Sequence, residues 1–219
     1  VSGTPSRSPD SRRRGVIVLA GEDSNDCKIV AQILRAHIGD VKMVEITDKV
    51  RLRSARSDAT RAERVRTLIG KAKGRALRAK AELLGIVVHE DMDGPADAAY
   101  TEARNRITVE LRRQSPCNCA FALAAFESEA WLLLFPQAFA NVQSGWKLPA
   151  SLIGRDSGLL ADPKETLQRA LSSPRFRESD GPIVAAAANK LGLMTSPHGR
   201  NRSYQDFVTE LGTWSHTPS

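Results

Sequence analysis

From residue 16 onward the chain alternates short, wholly apolar runs with longer stretches whose apolar residues recur at helical spacing. Val16 to Ala20 is a continuous apolar run, the pattern of a strand buried on both faces of a parallel sheet. A polar turn, Gly21 to Asn25, leads to Ile29, Val30, Ile33, Leu34 and Ile38, one face of a helix that Ser24 or Asp26 is placed to cap. Gly39-Asp40 breaks it, and Val41 to Ile46 alternates as a second strand. Val65, Leu68, Ile69, Ala72, Ala76, Ala79 and Leu83 trace the apolar face of a second helix. Leu84 to His89 is a third apolar run, Ala96 to Arg113 a third helix, and Asn118 to Phe126 a fourth strand running into a short helix, Ser128 to Phe135. Strands alternating with helices in this order predict an α/β fold with an open, mainly parallel sheet flanked by helices.

After Pro136 the pattern changes. The stretch to Asp162 reads as irregular, with Gly145, Pro149, Gly154 and Gly158. Helices are expected at Pro163 to Leu171, Ile183 to Leu191 and Ser203 to Leu211. The division that follows is a disordered basic tail (1–14), an α/β domain (15–136) and a helical C-terminal extension packed on it (137–219). No internal repeat is visible.

Charge sharpens this picture. The net charge is +7, and between Lys49 and Glu82 twelve lysines and arginines face only three acids. A solvated helix ordinarily mixes its signs, so the segment points to an anionic partner such as nucleic acid. Arg61, Arg64, Lys71, Lys73, Arg75 and Arg78 are its candidate contacts. No apolar run reaches the ~20 residues of a membrane helix, and the first 14 residues lack a signal-peptide core, so a cytoplasmic protein without membrane attachment is expected. Three cysteines (Cys27, Cys117, Cys119) argue against a disulfide framework, and one C-x-C pair does not complete a zinc site. The chain has no phosphate-binding glycine loop and no hydrolase nucleophile motif. Aromatic residues are only 5% of the chain, so Trp131, Trp146, Trp214, Tyr204 and Phe207 are expected to pack and not to form a base-stacking platform.

The chemistry is expected at the carboxyl ends of the strands, where open α/β sheets collect their functional groups. Three predicted strands end in acids: Glu22 after the first, Asp91 and Asp93 after the third, Glu127 and Glu129 after the fourth. In extended backbone, residues i and i+2 point the same way, so Asp91 and Asp93 are expected to converge. Converging carboxylates repel one another unless a hard cation such as Mg²⁺ or Mn²⁺ joins them. His89 stands on the same face as Asp91, as an internal packing residue or a ligand.

A Glu after the first strand and a D-x-D after a later one resembles the motif order of TOPRIM domains, found in topoisomerases, primases and the overcoming-lysogenization-defect (OLD) nucleases. Phe126 to Phe135 (FESEAWLLLF) is similar to a segment of the small TOPRIM-like proteins encoded with phage-defence ATPases. Asp180 to Ile183 and Arg200 to Phe207 extend the resemblance toward the C-terminus. It implies a Mg²⁺- or Mn²⁺-dependent nuclease, the effector of an anti-phage system with an ATPase partner subunit. Glu22 would be general base or ligand, Asp91 and Asp93 metal ligands, and Glu127 and Glu129 the holders of a second ion. A cation for the scissile phosphate would come from Lys190, His198, Arg200 or Arg202, the last two also candidate nucleic-acid contacts. In one departure, Asp23 stands where the family has glycine. That change favours the alternative of a non-catalytic nucleic-acid-binding or regulatory subunit. A phosphatase or nucleotidyl transferase acting on small molecules is a third reading, and a sheet edge leaves room for a homo-oligomer.

Overall fold

The structure is a computed structural model and describes residues 15–214; the expected tail, 1–14, and the last five residues of the expected extension lie outside the described residues. Four strands form one sheet: β1 (Gly15–Ala20), β2 (Lys42–Ile46), β3 (Glu82–Asp91) and β4 (Asn118–Ala124). All are parallel, in the order β2-β1-β3-β4. The chain leaves β1 toward one edge and then returns to its other side, which puts the topological switch point between β1 and β3. In such sheets the crevice beyond the carboxyl ends at that point is the natural ligand site.

Helices cover both faces because the central strands are apolar on both faces. Ile17, Leu19, Val87, Ala120 and Ala122 pack against α1 (Ser24–Ile38) and the C-terminal helices. Val18, Ala20, Ile86, Val88 and Phe121 pack against α2 (Asp58–Arg78) and α3 (Ala98–Gln114). This alternation sends consecutive residues at the end of β3 to opposite sides. Helix α1 begins at neither expected cap: Asp23 is its N-cap, accepting from the Asn25 amide at 2.7 Å. Helix α2 is capped by Ser57 and stops at Arg78, because Lys80 adopts φ 51° and the amides of Lys80 and Ala81 turn back onto Leu77 and Ala76.

The region after β4 departs from expectation. Phe126 turns through φ 57°, and the expected helix Ser128 to Phe135 contracts to a single turn, α4 (Glu129–Leu132). Pro136 then starts α5 (Pro136–Val142), where an irregular stretch was expected; proline suits a first helical turn, since its missing amide would be unpaired there anyway. Helices α6 (Pro163–Ala170), α7 (Gly181–Lys190) and α8 (Arg202–Gly212) follow close to the expected positions. Trp131 is fully buried, stacked on Phe207 at 5.9 Å and edge-on to Tyr204 at 6.0 Å, and Trp146 and Trp214 are buried as well. The aromatic residues therefore pack as expected.

Helix α8 also closes the β4 edge of the sheet. The Ser203 hydroxyl accepts from the Ala125 amide and from the Trp131 indole, and Glu210 accepts from the Phe121 amide. Arg104 and Arg112 compensate the buried Glu210 carboxylate. Among the described residues no helix is long and apolar enough to cross a membrane.

Candidate functional site

Beyond the β1–β3 switch point lies a cleft of about 210 Å³ lined by Glu22, Asp23, Asp26, Asp91, Asp93 and Glu129, with Lys49, Lys164 and Glu178 at its margins. Four loops build it. Gly21 lets the end of β1 lie against β3: a Cβ there would stand 3.1 Å from Cys27 Sγ and 3.2 Å from the His89 carbonyl. Asp23, where the resemblance implies a glycine, has extended backbone (φ −132°), so the turn demands no glycine there. The first turn of α1 then carries Asp26 over the strand ends.

Ser128 ties the cluster together. Its amide donates to Asp91 Oδ1 at 3.1 Å and its hydroxyl to Asp26 Oδ1 at 2.6 Å. Between the two carboxylates lies His89, its Nε2 3.5 Å from Asp91 and its Nδ1 3.8 Å from Asp26. The imidazole is 1% exposed, sits edge-on to Trp131, and neither nitrogen has a hydrogen-bond partner. Burial lowers its pKa against the upward pull of Asp26, Glu90, Glu22 and Asp23. Crowding acts on the acids in the other direction. Burial, then Asp26, Glu127 and Asp93, push the Asp91 carboxyl well up from the usual range. Burial and Asp26 push Glu129 to about 8.

Asp91 and Asp93 both line the cleft, but not through the extended alternation expected of a D-x-D. Asp91 is the last residue of β3, and Asp93 turns through φ 56°, which breaks the two-residue alternation and leaves its side chain 85% exposed. Glu22 faces Arg51, with Arg51 Nε 2.8 Å from its carboxylate. Glu127 accepts from the Lys164 amide at 3.2 Å, and Lys164 Nζ lies 3.6 Å from it and 3.8 Å from Glu178. Burial pulls the Lys164 ammonium down, but Glu129, Glu127 and Glu178 outweigh it and the net shift is upward.

On the opposite face Glu90 is buried and accepts from the amides of Leu52 and Arg53. Burial raises its carboxyl to about 7 against those two hydrogen bonds. The anchored loop presents Arg53 to the carbonyls of Asp91 and Met92. Arg53 therefore braces the backbone that carries the two aspartates.

The cationic candidates scatter. Lys190, His198 and Arg200 are exposed and line neither the acidic cleft nor the larger cavity beside it. Arg202 donates to the Ala96 carbonyl and the Thr101 hydroxyl and lies over the Tyr100 ring, so its guanidinium is occupied by α3. Arg61, a candidate contact to an anionic partner, is buried and paired with Asp58. Arg64 donates to the Arg51 carbonyl and Ser54, Lys71 pairs with Asp48 at 2.8 Å, and Arg75 reaches Thr47. Lys73 and Arg78 are exposed.

Sequence reading passed over Asp26, Ser128, Lys164, Arg51 and Arg53 as site residues. Asp26 carried a signal, being an acid one helical turn past Glu22; Lys164 and Arg53 carried none, since only the tertiary fold brings them to the strand ends.

Among the described residues no three His, Cys, Asp or Glu side chains close on a point where an ion could be held. The donor set is nonetheless of the kind a hard divalent cation selects, for the cleft is lined by carboxylate oxygens, and burial followed by mutual repulsion raises Asp91 and Glu129. No protein-family model, curated protein or solved structure matches the chain.

Proposed function

We propose that the protein is a TOPRIM-like nuclease that hydrolyses phosphodiesters of DNA or RNA with Mg²⁺ or Mn²⁺. The observation that carries this reading is the gathering of Glu22, Asp26, Asp91, Asp93 and Glu129, from three strand ends and the first turn of α1, in one cleft at the switch point of a parallel sheet. Asp91, Asp26 and Glu129, which do not close on one point without an ion, would have to draw together around the cation, and Glu22, released from Arg51, would serve as ligand or general base. A bound divalent ion supplies an activated water and neutralises charge building on the phosphate. Ser128 fixes Asp26 and Asp91, Arg53 braces the backbone at Asp91 and Met92, and Lys164 places a positive charge at the cleft margin. The role as effector of an anti-phage system with an ATPase partner rests on the resemblance of the acidic segments.

A second reading, a binding or regulatory subunit without catalysis, is favoured by one observation: Glu22 is engaged by Arg51, and the exposed Asp93 lies 4.0 Å from Arg53. Incubating plasmid DNA and total RNA with the purified protein in Mg²⁺, Mn²⁺ or EDTA, beside Asp91→Ala, separates the two. Metal-dependent degradation lost in the variant is the expected result. No degradation under any metal would sink the autonomous nuclease.

A further inference from the structure

Beside the acidic cleft lies a larger cavity of about 490 Å³, and the two share Glu22 and Asp93 as a common wall. Arg51, Arg53, Arg61 and Arg106 line it beside Glu22, Glu90, Asp93 and Glu102, and no lysine does. Guanidinium groups match phosphate oxygens with paired donors in a fixed plane, which lysine cannot do. The volume falls within the ~300–1,000 Å³ of ligand pockets, whereas the acidic cleft has less than half that volume and a lining that repels anions.

From this geometry we infer that the arginine-lined cavity seats the backbone phosphate next to the one cleaved, so that a nucleic-acid strand reaches the acidic cleft across Glu22 and Asp93. This rests on the nuclease reading and adds the path of the substrate to it. Two features prepare the cavity. The buried Glu90 pins the loop that carries Arg51 and Arg53, so their placing is built in. Arg51 and Arg106 are 58% and 53% exposed, and each is held by a single carboxylate, Glu22 and Glu102 respectively. Solvent-exposed pairs of this kind are cheap to open, so both guanidinium groups are available to an incoming phosphate. Release of Arg51 also frees Glu22, which joins substrate arrival to completion of the acidic site. The path differs from one along the outer face of α2, which carries Lys71, Lys73, Arg75 and Arg78 but does not adjoin the acidic cleft.

The test is binding of fluorescent single- and double-stranded oligonucleotides to the full chain in EDTA across a salt series. Arg51→Ala, Arg106→Ala, Arg106→Lys and the pair Lys73→Ala/Arg78→Ala are compared, with Lys147→Ala as an exposed control outside both cavities. Each cavity alanine is expected to weaken binding by roughly three- to tenfold and reduce the salt slope by about one, with Arg106→Lys recovering the slope but not the full affinity. Thermal melts confirm that these exposed positions leave the fold intact. Unchanged binding in both cavity variants overturns the inference, as does a loss confined to Lys73→Ala/Arg78→Ala or a wild-type chain that binds no oligonucleotide. Cleavage assays tell the two failures apart. Metal-dependent cleavage that persists at full rate in Arg106→Ala removes the substrate path alone, whereas a wild-type chain that cuts nothing removes the nuclease reading.

Discussion

The hydroxyl of Ser128 donates to Asp26 across 102 positions of sequence, while the amide of the same residue holds Asp91. One fully buried serine thus fixes the separation of two crowded carboxylates. Ser128→Ala keeps the amide contact and removes the hydroxyl. The expected cost is about 1–2 kcal/mol of folding stability, the range for a buried carboxylate losing one donor. On the proposed nuclease reading, metal-dependent cleavage should fall through weaker apparent metal affinity, with the rate at saturating metal recovering in part. A urea titration beside a Mg²⁺ titration of the cleavage rate measures both, and an unchanged metal requirement would count against the assignment of Asp26.

Asp91 is destabilising in the metal-free protein, since burial and three neighbouring acids raise its pKa. Asp91→Asn keeps the acceptor for the Ser128 amide and removes the charge. Stability in EDTA is expected to rise by about 1 kcal/mol, the pattern of functional sites that trade stability for activity. Cleavage should drop further than the roughly 10–100-fold seen when outer partners of a metal site are changed. Stability and activity falling together would instead mark Asp91 as a structural residue.

The same raised carboxyls predict a pH dependence. Glu90 at about 7, Glu129 at about 8 and Asp91 above its usual range hold protons in the folded chain that the unfolded chain, titrating near ~4, has already released. The folded state therefore binds more protons, and stability falls as pH rises through the folded values. In EDTA the urea midpoint is expected to be lower at about pH 8.5 than at about pH 7. Saturating Mg²⁺ should flatten or reverse the trend, since the ion binds the deprotonated form. A midpoint that rises with pH in EDTA contradicts this account of the cleft.

Glu90 is the anchor of the loop between β2 and α2. Glu90→Ala leaves the Leu52 and Arg53 amides facing a buried void, at a cost of about 2–3 kcal/mol. Faster hydrogen exchange is expected at those two amides, with that in α8 unchanged. Glu90→Gln retains one acceptor and should lose about half as much. Equal exchange in all three proteins would show that other contacts hold the loop.

The sequence by itself determined the sheet and the neighbourhood of the site. Apolar runs such as Val16 to Ala20 can be satisfied only between two covered faces, so their order already implied a parallel sheet with acids beyond its strand ends. Helix periodicity located α1, α2 and α3 to within a few residues for the same local reason. Which acids meet was decided by tertiary structure alone. The left-handed turn at Asp93 leaves that residue exposed at the wall between the cleft and the neighbouring cavity, against the two-residue alternation expected of an extended D-x-D. Strand parity separates the neighbours Glu90 and Asp91, one to brace a loop and one to enter the cleft. The partners that complete the site, Ser128 for Asp26, Lys164 for Glu127 and Arg51 for Glu22, join segments whose spacing carries no periodic signal. Their pairing is set by where loops land once the core has packed, a long-range outcome that no local pattern of hydrophobic and polar residues encodes.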